Sequence, residues 1–161
     1  MAEPNPRQRR SRKNKPAQGL RARALRLLAR REHSRHELEH KLALYTENPD
    51  EIVDLLDDFE RRGWLSEGRV VAQVLASRRR RFGAQRIAHE LREKGVSQAA
   101  IAGAQTQLKE SEDQAALAVW TKKFGCLPRN AAERARQVRF MQGRGFAFET
   151  VMRIIKHESG R

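Results

Sequence analysis

Apolar residues recur along this chain at helical spacing. Leu38 and Leu42 stand four apart, and Ile52, Leu55, Leu56 and Phe59 fill one side of a projected helix. Positions i, i+3, i+4 and i+7 share one face of a helix, so this spacing predicts amphipathic helices that bury one stripe. From Leu20 onward there are no alternating runs rich in Val, Ile, Thr and aromatics, and no Asn-Gly or Asp-Gly turns. Strands are therefore not expected. Helix punctuation is frequent instead. Ser34-Arg35-His36-Glu37 is a capping box, in which the hydroxyl and the carboxylate each satisfy a free backbone N–H. Asn48-Pro49-Asp50-Glu51 supplies a cap, a proline at the first helical position and acids in the first turn. Arg61, Arg62 and Gly63 close that helix with cations at its negative end and a glycine just beyond.

The plan repeats 49 residues later without a gap. Ser34 aligns with Gly83, Leu38 with Ile87, Leu42 with Leu91, Ile52 with Ile101, Phe59 with Leu108 and, upstream, Leu25 with Val74. A looser third copy lies about 50 residues further on. It aligns Leu91 with Met141, Lys94-Gly95-Val96 with Arg144-Gly145-Phe146, and Ile101 with Val151. The spacing predicts helices over 21–32, 34–45 and 49–62; over 68–81, 84–94 and 97–109; and over 112–124, 130–142 and 147–158. A unit this small is marginal alone. Neighbouring units should pack on one another and form an all-α, elongated tandem array of three three-helix repeats. The expected division is 20–66, 67–110 and 111–161, after a basic arm over 1–19.

Composition narrows the function. Of the 161 residues 39% are hydrophobic and 6% aromatic, so the core is thin and aliphatic. No window of about 18 apolar residues exists, so no membrane span is expected. No apolar stretch follows the basic N-terminus, so no secretory signal is expected either. The single Cys126 precludes an internal disulfide and a thiolate metal site, and it has no neighbouring base to activate it. Lys and Arg number 34 against 20 Asp and Glu, a net charge of +14. Residues 1–20 carry +5, 21–66 carry −1, and 67–108 and 109–161 carry +5 each. The first of these segments holds Pro4, Pro6 and Pro16 and little that is apolar, which predicts a disordered basic arm. It could serve nucleic acid or merely solubility. Such a charge points to a polyanion, or to a partner assembled on one.

One motif suggests catalysis. His36-Glu37-Leu38-Glu39-His40 matches H-E-x-x-H, with Glu60 available as a third carboxylate. Leu38 and Leu42 define the buried face, and both histidines lie about 160° from Leu38, on the solvent side. A metal there would have no water-excluding cleft, and Glu37 already has a capping role. A phosphate-cradling glycine loop is also missing. The reading is therefore of a non-enzyme with no catalytic residues, no metal and no cofactor.

The basic residues offer a binding surface. Arg78, Arg79, Arg80 and Arg81 end one helix and span more than one face. Arg86 and Lys94 lie on nearly one line, and Arg136, Arg139 and Arg144 follow in the third unit. Cations at a helix C-terminus also have a purely structural reading. Aromatics are not interleaved with the arginines in sequence, so the surface suits phosphates or acidic protein better than base stacking. Helix 49–62, by contrast, carries Asp50, Glu51, Asp54, Asp57, Asp58 and Glu60, so the array should be polarised.

Four stretches carry a family resemblance. They are Leu27-Leu28-Ala29-Arg30-Arg31-Glu32-His33-Ser34-Arg35-His36-Glu37-Leu38, Arg62-Gly63-Trp64-Leu65-Ser66, Arg86-Ile87 through Lys94-Gly95-Val96, and Arg139-Phe140-Met141 through Arg144-Gly145-Phe146. In this order and spacing, over about residues 20–158, the chain resembles the bacterial regulatory protein RecX family. The resemblance implies an all-helical array that lies in the groove of the RecA–DNA filament. It implies negative modulation of RecA's ATPase, strand exchange and coprotease activities in DNA repair, recombination and the SOS response. The expected partners are the RecA filament and single- and double-stranded DNA, and the expected form is a cytoplasmic monomer. A general nucleic-acid-binding helical protein is the alternative. The family offers no short contact signature, so the nine basic residues above remain a charge argument. Gly68 and Val70 stand where the family has an acidic start and an aromatic, so that helix should begin loosely and pack lightly. Ala147 replaces a small hydroxyl cap.

Overall fold

The structure, a computed structural model, describes residues 18–159. The expected basic arm falls almost wholly outside them. Among the described residues nine α-helices follow one another: α1 (Gln18–Leu28), α2 (Arg35–Leu42), α3 (Pro49–Arg61), α4 (Glu67–Arg78), α5 (Ala84–Glu93), α6 (Gln98–Lys109), α7 (Glu112–Lys123), α8 (Ala131–Gly143) and α9 (Phe148–Ser159). A single 3-10 turn, Ala43–Tyr45, extends α2, and no strand occurs among the described residues. The caps are those the sequence signals. Ser34 Oγ accepts from the Glu37 N–H at 3.1 Å, while the Glu37 carboxylate accepts from the Ser34 N–H at 2.9 Å. Asn48 caps α3 through the Asp50 N–H at 3.1 Å.

Three separate cores form. Leu38, Leu42, Ile52, Leu56 and Phe59 meet Leu20 and Ala24 in the first. Val70, Val74, Ile87, Leu91, Ile101 and Leu108 form the second. Trp120, Met141, Phe146, Val151 and Ile155 form the third. Nearly every aligned apolar position of the repeat is therefore a core position in its own unit. Leu25 is the exception: it is exposed, and Ala24 takes the buried place beside Leu20. The start of α4 also departs from expectation. Ser66 caps it, and Glu67 accepts from the Ser97 N–H at 2.6 Å and hydroxyl at 2.8 Å, which ties α4 to the start of α6. Gly68 does not fray it, and Val70 and Val71 are buried.

The units join through the ends of their middle helices. A helix C-terminus leaves carbonyls unpaired and an N-terminus leaves N–H groups unpaired. At the first junction the Ser34 hydroxyl, at the start of α2, donates to the carbonyl of Lys94 at the end of α5. At the second, the Gly83 and Gln85 N–H groups, at the start of α5, donate to the carbonyls of Arg144 (2.9 Å) and Gly145 (3.2 Å) after α8. The Ala84 N–H donates to Glu112 Oε1 at 3.0 Å. The positive end of each middle helix thus meets the negative end of the next, which is also the favourable alignment of their dipoles.

Glycine makes the approach possible. Gly95 and Gly145 have φ of +72° and +87°. A Cβ on Gly95 would lie 2.5 Å from His36 Cβ, and one on Gly145 would lie 2.5 Å from the Arg86 backbone N. Gly83 has ordinary dihedrals, yet a Cβ there would run into the Gly145 carbonyl.

Two outcomes are expected from thermal unfolding. Leu38 is fully buried, so Leu38→Ala should cost about 2–5 kcal/mol. His36→Ala with His40→Ala should cost within about 0.5 kcal/mol, because both side chains are exposed and alanine keeps the Cβ that packs on Gly95. Equal midpoints would overturn the face assignment. Gly145→Ala should cost about 1–3 kcal/mol in backbone strain alone. Gly103→Ala, in the open interior of α6, should stabilise by about 0.4–1 kcal/mol. Equal effects of the two glycine substitutions would remove the steric account of the junction.

Candidate nucleic-acid interface

The nine basic residues singled out in the sequence fall into distinct environments. Arg78 pairs with Glu90 at 3.0 Å. Lys94 pairs with Glu37 at 3.0 Å across the first junction, with both side chains largely covered. Arg86 donates to the Gly143 carbonyl at 3.2 Å across the second junction. Arg86, in the first turn of α5, and Lys94, the residue that caps its end, serve opposite ends of that helix. Arg79 donates to the Ser111 hydroxyl at 3.1 Å. Arg136 and Arg139 are exposed on α8. Arg80, Arg81 and Arg144 converge on a cleft of about 380 Å³ with Lys122, Lys123 and Phe140.

Glu37 shows how fully the first junction uses its charges. Arg31 donates to its carboxylate at 2.9 and 3.3 Å, the Ser34 N–H at 2.9 Å and Lys94 at 3.0 Å. Burial alone would push this carboxyl up, but the hydrogen bonds from Arg31, Ser34 and Lys94 outweigh it and hold it at about 2. Beside it, burial pushes the His33 imidazole below its usual 6.5, and the nearby Arg31 charge adds to the effect. His36 and His40 of the H-E-x-x-H sequence lie on the surface with their rings stacked edge to face, 4.4 Å apart. Glu37 is turned into the junction instead.

At the cleft, cations and aromatic rings are interleaved in space. The Arg144 guanidinium lies 5.4 Å from the Phe82 ring and 5.2 Å from the Phe140 ring. Lys123 Nζ lies 5.4 Å from Phe140, and Arg86 sits 4.9 Å from Phe82. This corrects the expectation drawn from the order of residues along the chain. Phe82 and Phe140 belong to different units, and only the second junction brings them to one arginine.

The three-helix domains described for RecX match in order: the first over residues 21–58, the second over 66–104 and the third over 110–155. The chain belongs to the RecX family. It is 43% identical over 143 residues to the regulatory protein RecX of Leptothrix cholodnii, covering 89% of this chain and 91% of that protein. It is 46% identical over 137 residues to that of Ralstonia nicotianae, covering 85% and 86%. The crystal structure of RecX from Lactobacillus salivarius superposes with a TM-score of 0.76 at 14% identity, covering 88% of this chain and 95% of that one. The RecX fold is thus shared at an identity where few side chains are.

Sequence reasoning gave no site role to Lys122, Lys123, Phe82 or Phe140. The lysines look like an ordinary basic last turn of α7. The available signal was positional: Arg136, Phe140 and Arg144 stand at i, i+4 and i+8 and so lie along one side of α8.

A pH dependence follows from Glu37. The folded chain binds this proton less tightly than the unfolded chain, where the carboxyl titrates near its ordinary 4.5. The stabilisation is therefore complete above about pH 5 and is lost as pH falls towards 2. Glu37→Gln should lower the melting midpoint at pH 7, and the gap to the parent should shrink as pH falls through this window. A gap independent of pH would mean that the Arg31 and Lys94 contacts contribute nothing.

Proposed function

We propose that this RecX-family chain binds the RecA–DNA filament and negatively modulates RecA activity, as a non-enzymatic, cytoplasmic monomer in recombination and the SOS response. The observation that carries this reading is the polarised, internally docked array. A filament presents a repeating surface of protein and nucleic acid. Three units held end to end by hydrogen-bonded helix termini form a semi-rigid span suited to such a surface. The Arg80, Arg81 and Arg144 cleft supplies contacts for phosphate, with Arg136 and Arg139 exposed beside it on α8. The first unit has no such surplus: residues 21–66 carry a net charge of −1, and its arginines are engaged by the acidic face of α3, Arg35 by Asp57 at 2.7 Å and Glu60 at 2.9 Å, and Arg21 by Asp58 at 2.9 Å. DNA contact is thereby directed to the second and third units, leaving the first for protein.

The test is RecA ATPase on single-stranded DNA, with and without this protein. Inhibition should appear at amounts well below RecA; a requirement to titrate the DNA would favour a general nucleic-acid binder. Gly95→Ala separates the two further, because it loosens the first junction away from the cleft. Strain of about 1–3 kcal/mol should raise the inhibitory concentration about tenfold. Affinity for bare DNA depends on total phosphate neutralisation and should change less than about twofold. Equal losses in both assays would sink the filament reading.

A further inference from the structure

We infer that copies of this chain dock end to end, with the Leu44–Tyr45 turn after α2 in one copy seated on the Leu127–Arg129 loop before α8 in the next. This goes beyond the proposed function, in which each copy acts alone.

The direction of the array leaves two unlike ends. At each inner junction the end of one middle helix meets the start of another: α5 ends against the start of α2, and α8 ends against the start of α5. What remains unmet is the end of α2 at one extremity and the start of α8 at the other. A contact between these two continues the polarity of the inner junctions.

Both extremities expose apolar side chains, and their rims carry opposite charge. Leu44 is 80% exposed, more than any other large apolar residue described, and Tyr45 beside it is 50% exposed. The Arg23 guanidinium lies 3.5 Å from the centre of the Tyr45 ring and holds it in place. Around this turn stand Glu47, Asp50, Glu51 and Asp54, all exposed. The Thr46 hydroxyl donates to Glu51 at 3.0 Å, which ties the turn to α3. None of these four acids has a cationic partner among the described residues; Arg21, Arg35 and Arg62 serve Asp57, Asp58 and Glu60 further along α3 instead. At the other extremity Leu127 is 36% exposed, and Arg129 and Arg134 are exposed with no acidic partner among the described residues. That loop is pinned to the third core. The buried Gln137 accepts from Trp120 Nε1 at 2.9 Å and donates to the Cys126 carbonyl at 3.1 Å, and the Arg129 N–H donates to Glu133 at 2.8 Å. Apolar residues rimmed by polar ones mark contact surfaces. Complementary rims decide which end meets which. Two loops already fixed lose little freedom on docking.

The contact is weak by construction. The end of α2 lacks the left-handed glycine of the inner junctions, so backbones stay apart and side chains make the contact. The area is accordingly small, as in transient pairs. The whole chain carries +14, so free copies also repel one another, and in dilute solution the chain is a monomer. A polyanionic polymer that lines copies up neutralises this surplus and raises their effective concentration, so that docking acts there. A head-to-tail contact of this kind does not close on itself, and copies add in a row.

The experiment is sedimentation equilibrium of the full chain from about 10 μM to about 1 mM, in about 0.15 M salt, where exposed charges more than about 8 Å apart are screened. The average mass should rise above that of one chain, with no plateau at two copies. Leu44→Ser with Tyr45→Ser should weaken association at least about tenfold, and so should Leu127→Glu with Arg129→Glu. The second variant is less positive than the parent and general repulsion is lower, so its loss has to come from the contact itself. Mixed in equal amounts, the two variants should form pairs that stop at two copies, because each keeps the end that the other lacks. All four side chains are exposed, so melting curves should match the parent's.

The mass of a single chain at every concentration would overturn the docking. Loss of association in only one of the two variants would mean that like ends meet, which the charges forbid. A mixture that fails to pair would overturn it as well. RecA and nucleic acid are absent throughout, so these failures are distinguishable from a failed ATPase test.

Discussion

A short helix ends with carbonyls that point along its axis and have no partner, and it starts with N–H groups in the same position. Burying either without a partner costs about 1–3 kcal/mol per group. In this chain the two deficits are matched across units: the start of α2 faces the end of α5, and the start of α5 faces the end of α8. The arrangement demands very close backbone approach, and this fixes residue choice far from any core. Gly95 and Gly145 must be glycine twice over, for the left-handed dihedral and for the missing Cβ. At Gly83 the missing Cβ alone matters.

The outward-facing ends are built differently, which shows that the junction is specific. At its start α8 meets no further unit, and it caps itself: Asn130 Oδ1 accepts from the Glu133 N–H at 2.9 Å, and Glu133 accepts from the Arg129 N–H at 2.8 Å. By contrast, α5 has only Gly83 at the same position and relies on its neighbour. The end of α2 has no left-handed glycine; it tightens into the 3-10 turn and leaves through extended Thr46. A side chain stands there where the inner junctions require none. Among the described residues, the geometry of the two inner junctions is thus not repeated at either outer face.

Nearly all of the helices were legible in the sequence, because caps and apolar spacing are local and agree with each other. Leu38 and Leu42, Ile87 and Leu91, and Ile101 and Val151 all fall in the cores that their spacing implies. The misreading of Leu25 is instructive: a large apolar residue beside an alanine outweighs it in any pattern, yet it is the alanine that faces the core. The junctions were half legible. The basic-Gly-apolar turn stood out as a repeat, but a glycine after a helix already has a sufficient local reason. Its second reason, a neighbour 59 residues away at Gly95 and His36, has no local trace. The cleft was least legible, because Phe82 and Phe140 reach one arginine only after two units have docked.

The fate of the charges follows from the same docking. In the first unit acids and bases nearly balance, and they pair within it, as Arg35 does with Glu39, Asp57 and Glu60. The second and third units carry fewer acids than bases, and several of those acids tie helices and units together. Glu90 takes Arg78, Glu67 ties α4 to Ser97, Glu112 accepts from the Ala84 N–H, and Glu37 of the first unit reaches across to Lys94. Each carboxylate spent on a helix end or a junction is one that cannot neutralise the cations beside the second junction. Arg80, Arg81, Lys122 and Lys123 accordingly face the cleft with no carboxylate of the described chain among its lining residues. A cluster of four such cations repels itself, and an external anion relieves that repulsion. The same allocation of acids that builds the array therefore leaves the cleft with a concentration of uncompensated positive charge.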